Sequence, residues 1–545
     1  MRRSLLLSLL TLLPLLLALA ACSGAPDRGA PPEPAPYDPL ARAMASIGQP
    51  LTNVEAGIPP QCYTATEGSS NPCWVCHTVG RAPNTLDDAY LQGEYAFSDV
   101  GLTNHWTNLF VDRTREARAI SSEEILAYIR EDDVTPLARA LSGREGYPGY
   151  VPDLDFERGF DELGFARNGS GWRALRYVPF PGAFYPTNGS SDDVFIRLPR
   201  AYRVDASGQP SSMIARINLS ILEAAMTGDP DAPIESLVRE VEPLDETIAG
   251  LDLDGDGALS SETRSIRGLP SHYVGGAASE PVVRLAHPEG TEYLHTVRYV
   301  DPDAPDLRSR RVKELRYMRR TRPFDAWATL RAIEDELDER DDQTLPVYPG
   351  SPETGYLNAF GWQLQGFIED ADGSLRLQTV EEHRFCMGCH SGIGGTTDST
   401  FSFARKLPAL EGWRVQTLAG MRSPPQAGHA EPEVLEYFRR VGGADELRAN
   451  GEMLARFWPG GVLDEAEVRR VALGGDRDLA WLLAPSRERA IDLARAYRVI
   501  VREQSFVRGR DATLSPPAHV HREIREGQEG AAREIVRDGR PQLAW

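Results

Sequence analysis

The sequence predicts an α+β chain of several domains, mainly helical at its two ends and strand-rich between them. Three observations carry this. Its 545 residues exceed what one hydrophobic core usually serves, so two or three domains are expected. Between about Tyr147 and Thr321, Pro, Gly and Asn-Gly turns (Asn168–Gly169, Asn188–Gly189) separate short β-branched or aromatic runs, the texture of strands. Outside that region apolar residues return at helical spacing, behind capping residues and ahead of glycines.

The first element is a leader. Met1–Arg2–Arg3 is positive, and Leu5 to Ala21 is almost wholly apolar before Ser23 and Gly24. So short and early a run reads as a signal peptide over residues 1–21 rather than a membrane span. Leu19–Ala20–Ala21–Cys22 resembles the lipobox of bacterial lipoproteins. That resemblance implies acylation of Cys22 and anchoring to a membrane without crossing it. By the same resemblance Ser23, rather than Asp, implies the outer membrane in preference to the inner, with the protein in the periplasm or at the cell surface. Residues 22–37, with APDRGAPPEPAPY, read as the lipidated Cys and a Pro-rich stalk. No later segment reaches the ~18 consecutive apolar residues that a span requires.

Three modules follow. Residues 38–146 form the first, with Ser121 placed three residues before Glu124 as a capping box ahead of EEILAYI. Residues 147–322 are the strand-rich middle. Its runs are VFIRLP (194–199), EYLHTVRYV (292–300) and VKELRYM (312–318), with a helix over Ile217–Met226. Residues 323–545 are the second helical module. It opens on a helix over Asp325–Glu339, and VLEYFRRV later closes on Gly442–Gly443.

Charge narrows the function. Asp and Glu number 80 against 59 Lys and Arg, a formal net charge of −21. Such a surface repels phosphate backbones, so nucleic acid is excluded as a partner, while a basic redox partner or a cation is attracted.

Two pentapeptides carry chemistry. Cys73–Trp74–Val75–Cys76–His77 and Cys386–Met387–Gly388–Cys389–His390 are both C-x-x-C-H. Two thiols one helical turn apart can each form a thioether to one haem vinyl group, and the following His is then held beneath the iron as proximal ligand. A Cys₄ zinc site would leave both His residues unexplained, and a dithiol redox pair needs a βαβ setting that neither motif has. Behind an export signal, the two motifs resemble those of bacterial dihaem c-type cytochromes. The resemblance implies two haem c groups in locally cytochrome-c-like modules at the two ends. It covers little of the chain. Two further stretches, PFPGAFYPTNGSSDDVFIRLP (179–199) and HSGIGGTTDSTFSFARK (390–406), stand out without a function attached.

Sixth ligands would separate carrier from enzyme. No Met lies between His77 and Met213, which makes His105 the distal candidate for the first haem. For the second haem the candidates are Met421, His429, Met453, and the His519 and His521 pair. His383 reads as a packed neighbour. Cys62 is the odd thiol, open to burial, an intermolecular disulfide or haem ligation. Asp252–Leu253–Asp254–Gly255–Asp256–Gly257–Ala258 matches the opening of an EF-hand loop. It offers Asp252, Asp254, Asp256, the Ala258 carbonyl and Glu262 to one Ca²⁺, although position twelve is Thr263 and the Glu sits one place early. Asp370–Ala371–Asp372–Gly373 reads as a hairpin turn.

The function expected is electron transfer by an exported, lipid-anchored protein through two covalent haems, with a redox protein or a small donor or acceptor as partner. The alternative is a dihaem oxidoreductase with one five-coordinate catalytic haem and one relay haem, since a carrier of two haems does not need so long a chain.

Overall fold

The computed structural model describes residues 37–545 apart from 183–185, 343, 345, 444–448, 526, 527 and 529–532, so the leader and Cys22 lie outside the described residues. In chain order the strands are β1 Arg173–Leu175, β2 Ser190–Arg197, β3 Val238–Leu244, β4 Thr263–Arg267 and β5 Glu292–Val300. They continue as β6 Arg308–Arg320, β7 Gly350–Ser351, β8 Gly355–Leu357, β9 Trp362–Glu369 and β10 Leu375–Leu377. One 8-stranded sheet runs β1-β2-β5-β6-β9-β8-β7, with β10 also paired to β9. Its pairings are antiparallel. β3 and β4 form a separate hairpin.

Local sequence explains the main elements. EYLHTVRYV becomes β5 over the predicted residues, VKELRYM falls within β6, and VFIRLP falls in β2 as far as Arg197, with Leu198 and Pro199 beyond its end. The Asp370–Gly373 turn joins β9 to β10. The helix Ser212–Met226 is capped by Ser211 and buried from Ile217 to Met226, so it packs on all sides, including the β3–β4 hairpin. Ser121 caps the helix Ser122–Ile129 by accepting from the Glu124 amide at 3.0 Å. The helix Glu433–Val441 ends on Gly442, whose φ of 79° is the left-handed C-cap that glycine favours. Among the described residues no helix is long and apolar enough to cross a membrane.

The α+β class holds. Pro39–Trp545 is one compact unit, and the sheet crosses the expected boundary between residues 322 and 323. β1, β2, β5 and β6 precede that boundary and β7 to β10 follow it. The second helical module therefore contains strands. β9, WQLQGFIE, alternates apolar and polar only over Trp362–Gln365 before Gly366 breaks the pattern, and it is buried on both faces. The first module is less helical than expected, being built around the first motif from short 3₁₀ turns at Pro60–Tyr63 and Pro72–Val75.

Candidate functional site

The two C-x-x-C-H segments, more than half the chain apart in sequence, meet in space. The first sits on the 3₁₀ turn Pro72–Val75, where Asn71 accepts from the Cys73 amide at 3.1 Å. The second ends the helix Val380–Cys389, which starts on a full capping box between Thr379 and Glu382. Both end the same way: the His77 amide donates to the Cys73 carbonyl at 2.7 Å, and the His390 amide to the Cys386 carbonyl at 3.0 Å. The Gly395 amide then donates to the Cys76 carbonyl at 2.9 Å, and Asn84 donates through Nδ2 to the Thr396 carbonyl at 2.7 Å. Gly388 lies against the Gly57 carbonyl, where any Cβ would collide.

The thiols between them are unpaired: Cys62, Cys73, Cys76, Cys386 and Cys389 form no disulfide. Burial pushes the Cys73 thiol up to about 12 and Cys389 up to about 11. Burial, then the neighbouring Cys73 and Cys389, raises Cys62, which places this odd thiol between the two motifs. Among the described residues the only group of three or more His, Cys, Asp or Glu with ligand atoms within 4.8 Å of one another is Glu246, Asp252 and Asp254.

Each imidazole is aimed through its Nδ1. His77 donates from Nδ1 to Asp88 Oδ2 at 2.5 Å, and the Asp88 carboxylate is buried with its Oδ1 unpartnered. His390 donates from Nδ1 to the Ser399 carbonyl at 2.9 Å, and burial lowers its pKa to about 4. A proton fixed on Nδ1 leaves the Nε2 lone pair of a neutral imidazole as the metal-facing donor. The Ser399 carbonyl is held at some cost. Asp398 and Ser399 both have positive φ, 51° and 60°, in a Thr397–Thr400 turn that glycine and asparagine normally occupy. Asp398 is fixed there by Arg320 at 2.6 Å and the His287 amide at 2.9 Å, and Asn358 ties Ser399 Oγ to the His390 carbonyl.

A cavity of about 250 Å³ is bordered by both motifs, through Cys76 on one side and Cys386, Cys389 and His390 on the other. Its floor is one face of the sheet, where Val194, His295, Arg316 and Gly366 stand directly opposite one another on β2, β5, β6 and β9. The two stretches that stood out in sequence both line it: Phe180 and Asp192 from one, Phe401, Ser402 and Arg405 from the other.

The distal candidates fall elsewhere. His105 Nε2 bonds the Val100 carbonyl at 3.2 Å, and His429 Nε2 bonds the Asp538 carbonyl at 3.1 Å. Met421 and Met453 are buried in a helical core with Trp74 and Tyr437. None of these lines the cavity beside the second motif. His519 pairs with Glu67. His521 stacks edge-on against Tyr95, which adjoins Cys73, so it stands with the first motif and not the second; its buried Nε2 has no hydrogen-bond partner. His383 is structural, accepting at Nε2 from the Gly366 amide at 2.9 Å. His295, on the cavity floor and close enough to His390 to affect its ionisation, was not singled out in sequence because it reads as one residue of an ordinary strand.

The acidic loop also rearranges its expected ligands. Asp252 and Asp254 converge with Glu246, a buried carboxylate that accepts from the Leu253 and Ser260 amides at 2.6 and 2.8 Å. Asp256 instead accepts from the Ala258 amide at 2.8 Å, Ala258 is exposed, and Glu262 pairs with Arg264. Glu246 precedes the loop by six residues, outside any EF-hand spacing, and only the β3–β4 hairpin brings it back.

The comparisons correct one expectation. Residues 45–451, a span that includes both motifs, match the model of a lipoprotein family and not of a cytochrome c family. An "Uncharacterized lipoprotein" of Aquifex aeolicus (strain VF5) is 32% identical over 520 residues, covering 84% of this chain and 86% of its own. No solved structure matches. The likeness to dihaem c-type cytochromes rested on two pentapeptides, and a match over most of the chain outweighs it. The chain belongs to this lipoprotein family.

Proposed function

We propose that each C-x-x-C-H segment holds one covalently attached haem and that the protein passes electrons between them and a partner outside the cytoplasm. The observation that carries this reading is the pair of aimed imidazoles. At both sites an imidazole is fixed through Nδ1, its Nε2 left open, beside two unpaired thiols on the preceding turn. This is the donor set covalent attachment needs, and a dithiol or an all-cysteine zinc role would use neither imidazole. When bound, each haem would supply a one-electron couple. The protein's own residues do the rest. Asp88 orients His77, the Ser399 carbonyl orients His390, and Cys73 and Cys386 are buried. His521, with its unpartnered Nε2, is the sixth-ligand candidate on the first motif's side.

The alternative, an oxidoreductase, is favoured by the cavity: an electron carrier has no need of a floor bearing His295, Arg316 and Lys313. Glu246, Asp252 and Asp254 are the candidate ligands of a structural Ca²⁺. Anchoring through Cys22 in the outer membrane, facing the periplasm, completes the reading.

The test is the intact mass of protein matured in a host competent for haem attachment. Two added porphyrins are expected, and one fewer when Cys73 and Cys76, or Cys386 and Cys389, are replaced by Ala. The bare polypeptide mass would end the proposal.

A further inference from the structure

The cavity wall contains a buried ammonium that, among the described residues, forms no ion pair, although Glu369, Asp511 and Glu314 stand near enough to act on it. β6 pairs with β5 through Glu314 opposite Val297 and Val312 opposite Arg298, so Lys313 is the extra residue of a β-bulge. A bulge re-aims one side chain, and here Lys313 and Glu314 both reach the cavity from one strand. The other cations of the wall have carboxylate partners: Arg316 and Arg510 pair with Glu314, and Arg405 with Glu433. Lys313 is buried, yet among the described residues its Nζ donates only to the Gly189 carbonyl at 2.8 Å and to Ser190 Oγ at 2.9 Å. It lies 4.3 Å from the centre of the Tyr497 ring and 4.9 Å from that of Tyr299. The Tyr497 hydroxyl, also buried and also on the cavity wall, has no hydrogen-bond partner.

An ammonium with no carboxylate in direct contact and an unpartnered phenol ask for the same thing, an acceptor. A buried cation is costly without a counter-charge, and burial lowers the Lys313 pKa to about 7. A buried donor left unmade costs its full desolvation. One anionic oxygen between them answers both.

We propose that Lys313 and Tyr497 form a seat for a carboxylate-type anion in the cavity bordered by the two motifs. The anion has two sources of the same chemistry: a small free carboxylate, or the carboxylate side chain of a haem held by the chain. Only the second source rests on the function proposed above.

The experiment uses the mature full chain and compares wild type with Lys313→Met and Tyr497→Phe. In the first arm acetate is titrated calorimetrically. Saturable binding, weakened about tenfold or more by each variant, identifies the free source. In the second arm the infrared carboxylate bands of the haem-loaded protein are recorded. No acetate binding, with a carboxylate band moved by both variants, identifies the haem's own side chain. Tyr497→Phe removes a hydroxyl that bonds nothing in the fold, so its thermal melt should match wild type and a loss of binding is not a loss of folding. No acetate binding and no moved band in either variant would overturn the seat. A mass without porphyrin would sink the haem reading alone, since the acetate arm still decides this one.

Discussion

The two motifs share a pentapeptide pattern and little else. The first stands on a single 3₁₀ turn among irregular segments, capped by one asparagine, and its imidazole is aimed by a buried carboxylate. The second ends a ten-residue helix seated on the sheet, locked by a buried Arg376–Glu382 pair at 2.9 Å, and its imidazole is aimed by a main-chain carbonyl. The difference teaches that local scaffold and ligand tuning are set separately. A carboxylate draws the Nδ1 proton more strongly than a carbonyl and makes the opposite nitrogen a stronger donor. If each motif holds a haem as proposed, the first should therefore lie at the lower potential, although its motif has the weaker local frame.

The frame of the second motif is the larger target. Glu382 is both the capping-box acid and the partner of buried Arg376, and Arg376, with burial opposing it, holds the Glu382 carboxyl down at about 2. Glu382→Gln leaves the guanidinium without its counter-charge, which costs about 3–5 kcal/mol for a buried pair. The loss should appear as a lower midpoint in denaturant titration. The pH dependence has a definite sign. A carboxyl whose folded pKa is depressed contributes stability above its unfolded value, near 4.5, and loses it as pH falls toward about 2. The gap between wild type and Glu382→Gln should be constant from pH 7 to about 5 and close below that. A gap that widens in acid would show that the pair does not anchor this helix.

Asp88 tests the tuning half of the comparison. Asp88→Asn keeps an acceptor for His77 Nδ1 but removes the charge, and outer-shell changes of this kind cost about 10–100-fold in metal affinity. Voltammetry should show one of two waves shifted upward and the other unmoved. Ser399→Ala is the matched control, because His390 uses the Ser399 main-chain carbonyl and not its hydroxyl. Equal shifts from both changes would erase the proposed distinction.

Much of this was legible in the residues and some was not, for physical reasons. β5 and β6 were readable because β-branched and aromatic residues recur between turn signals. β9 was hidden because its alternation lasts only over Trp362–Gln365 before Gly366 interrupts it. The six motif residues were visible because their chemistry is contiguous. Asp88, Ser399, Glu246 and Lys313 were not, because each acts on a partner brought near only by the fold. Asp88 lies eleven residues beyond His77 on an irregular loop, and the Ser399 carbonyl carries no side-chain signature at all. The stretch HSGIGGTTDSTFSFARK did signal something: its Asp398–Ser399 turn, strained at positive φ, is what presents that carbonyl to His390.

The smallest effect falls on the frame of the first motif. Asn71 Oδ1 accepts from the Cys73 amide, and its Nδ2 donates to the Gln92 carbonyl, so one side chain both caps the turn and ties it to the next loop. Gln92 in turn donates to the His77 and Val536 carbonyls at 2.5 and 2.8 Å, which makes the turn part of a buried network and not a free loop. Asn71→Ala should cost about 1 kcal/mol, the usual loss for an N-cap, well short of the Glu382→Gln penalty. Because the cap precedes Cys73 and not His77, the change should lower the melting temperature while leaving both redox waves in place. If the lower-potential wave moves with Asn71→Ala as it does with Asp88→Asn, the turn and the carboxylate act as one unit, and the separation of scaffold from tuning fails at this motif.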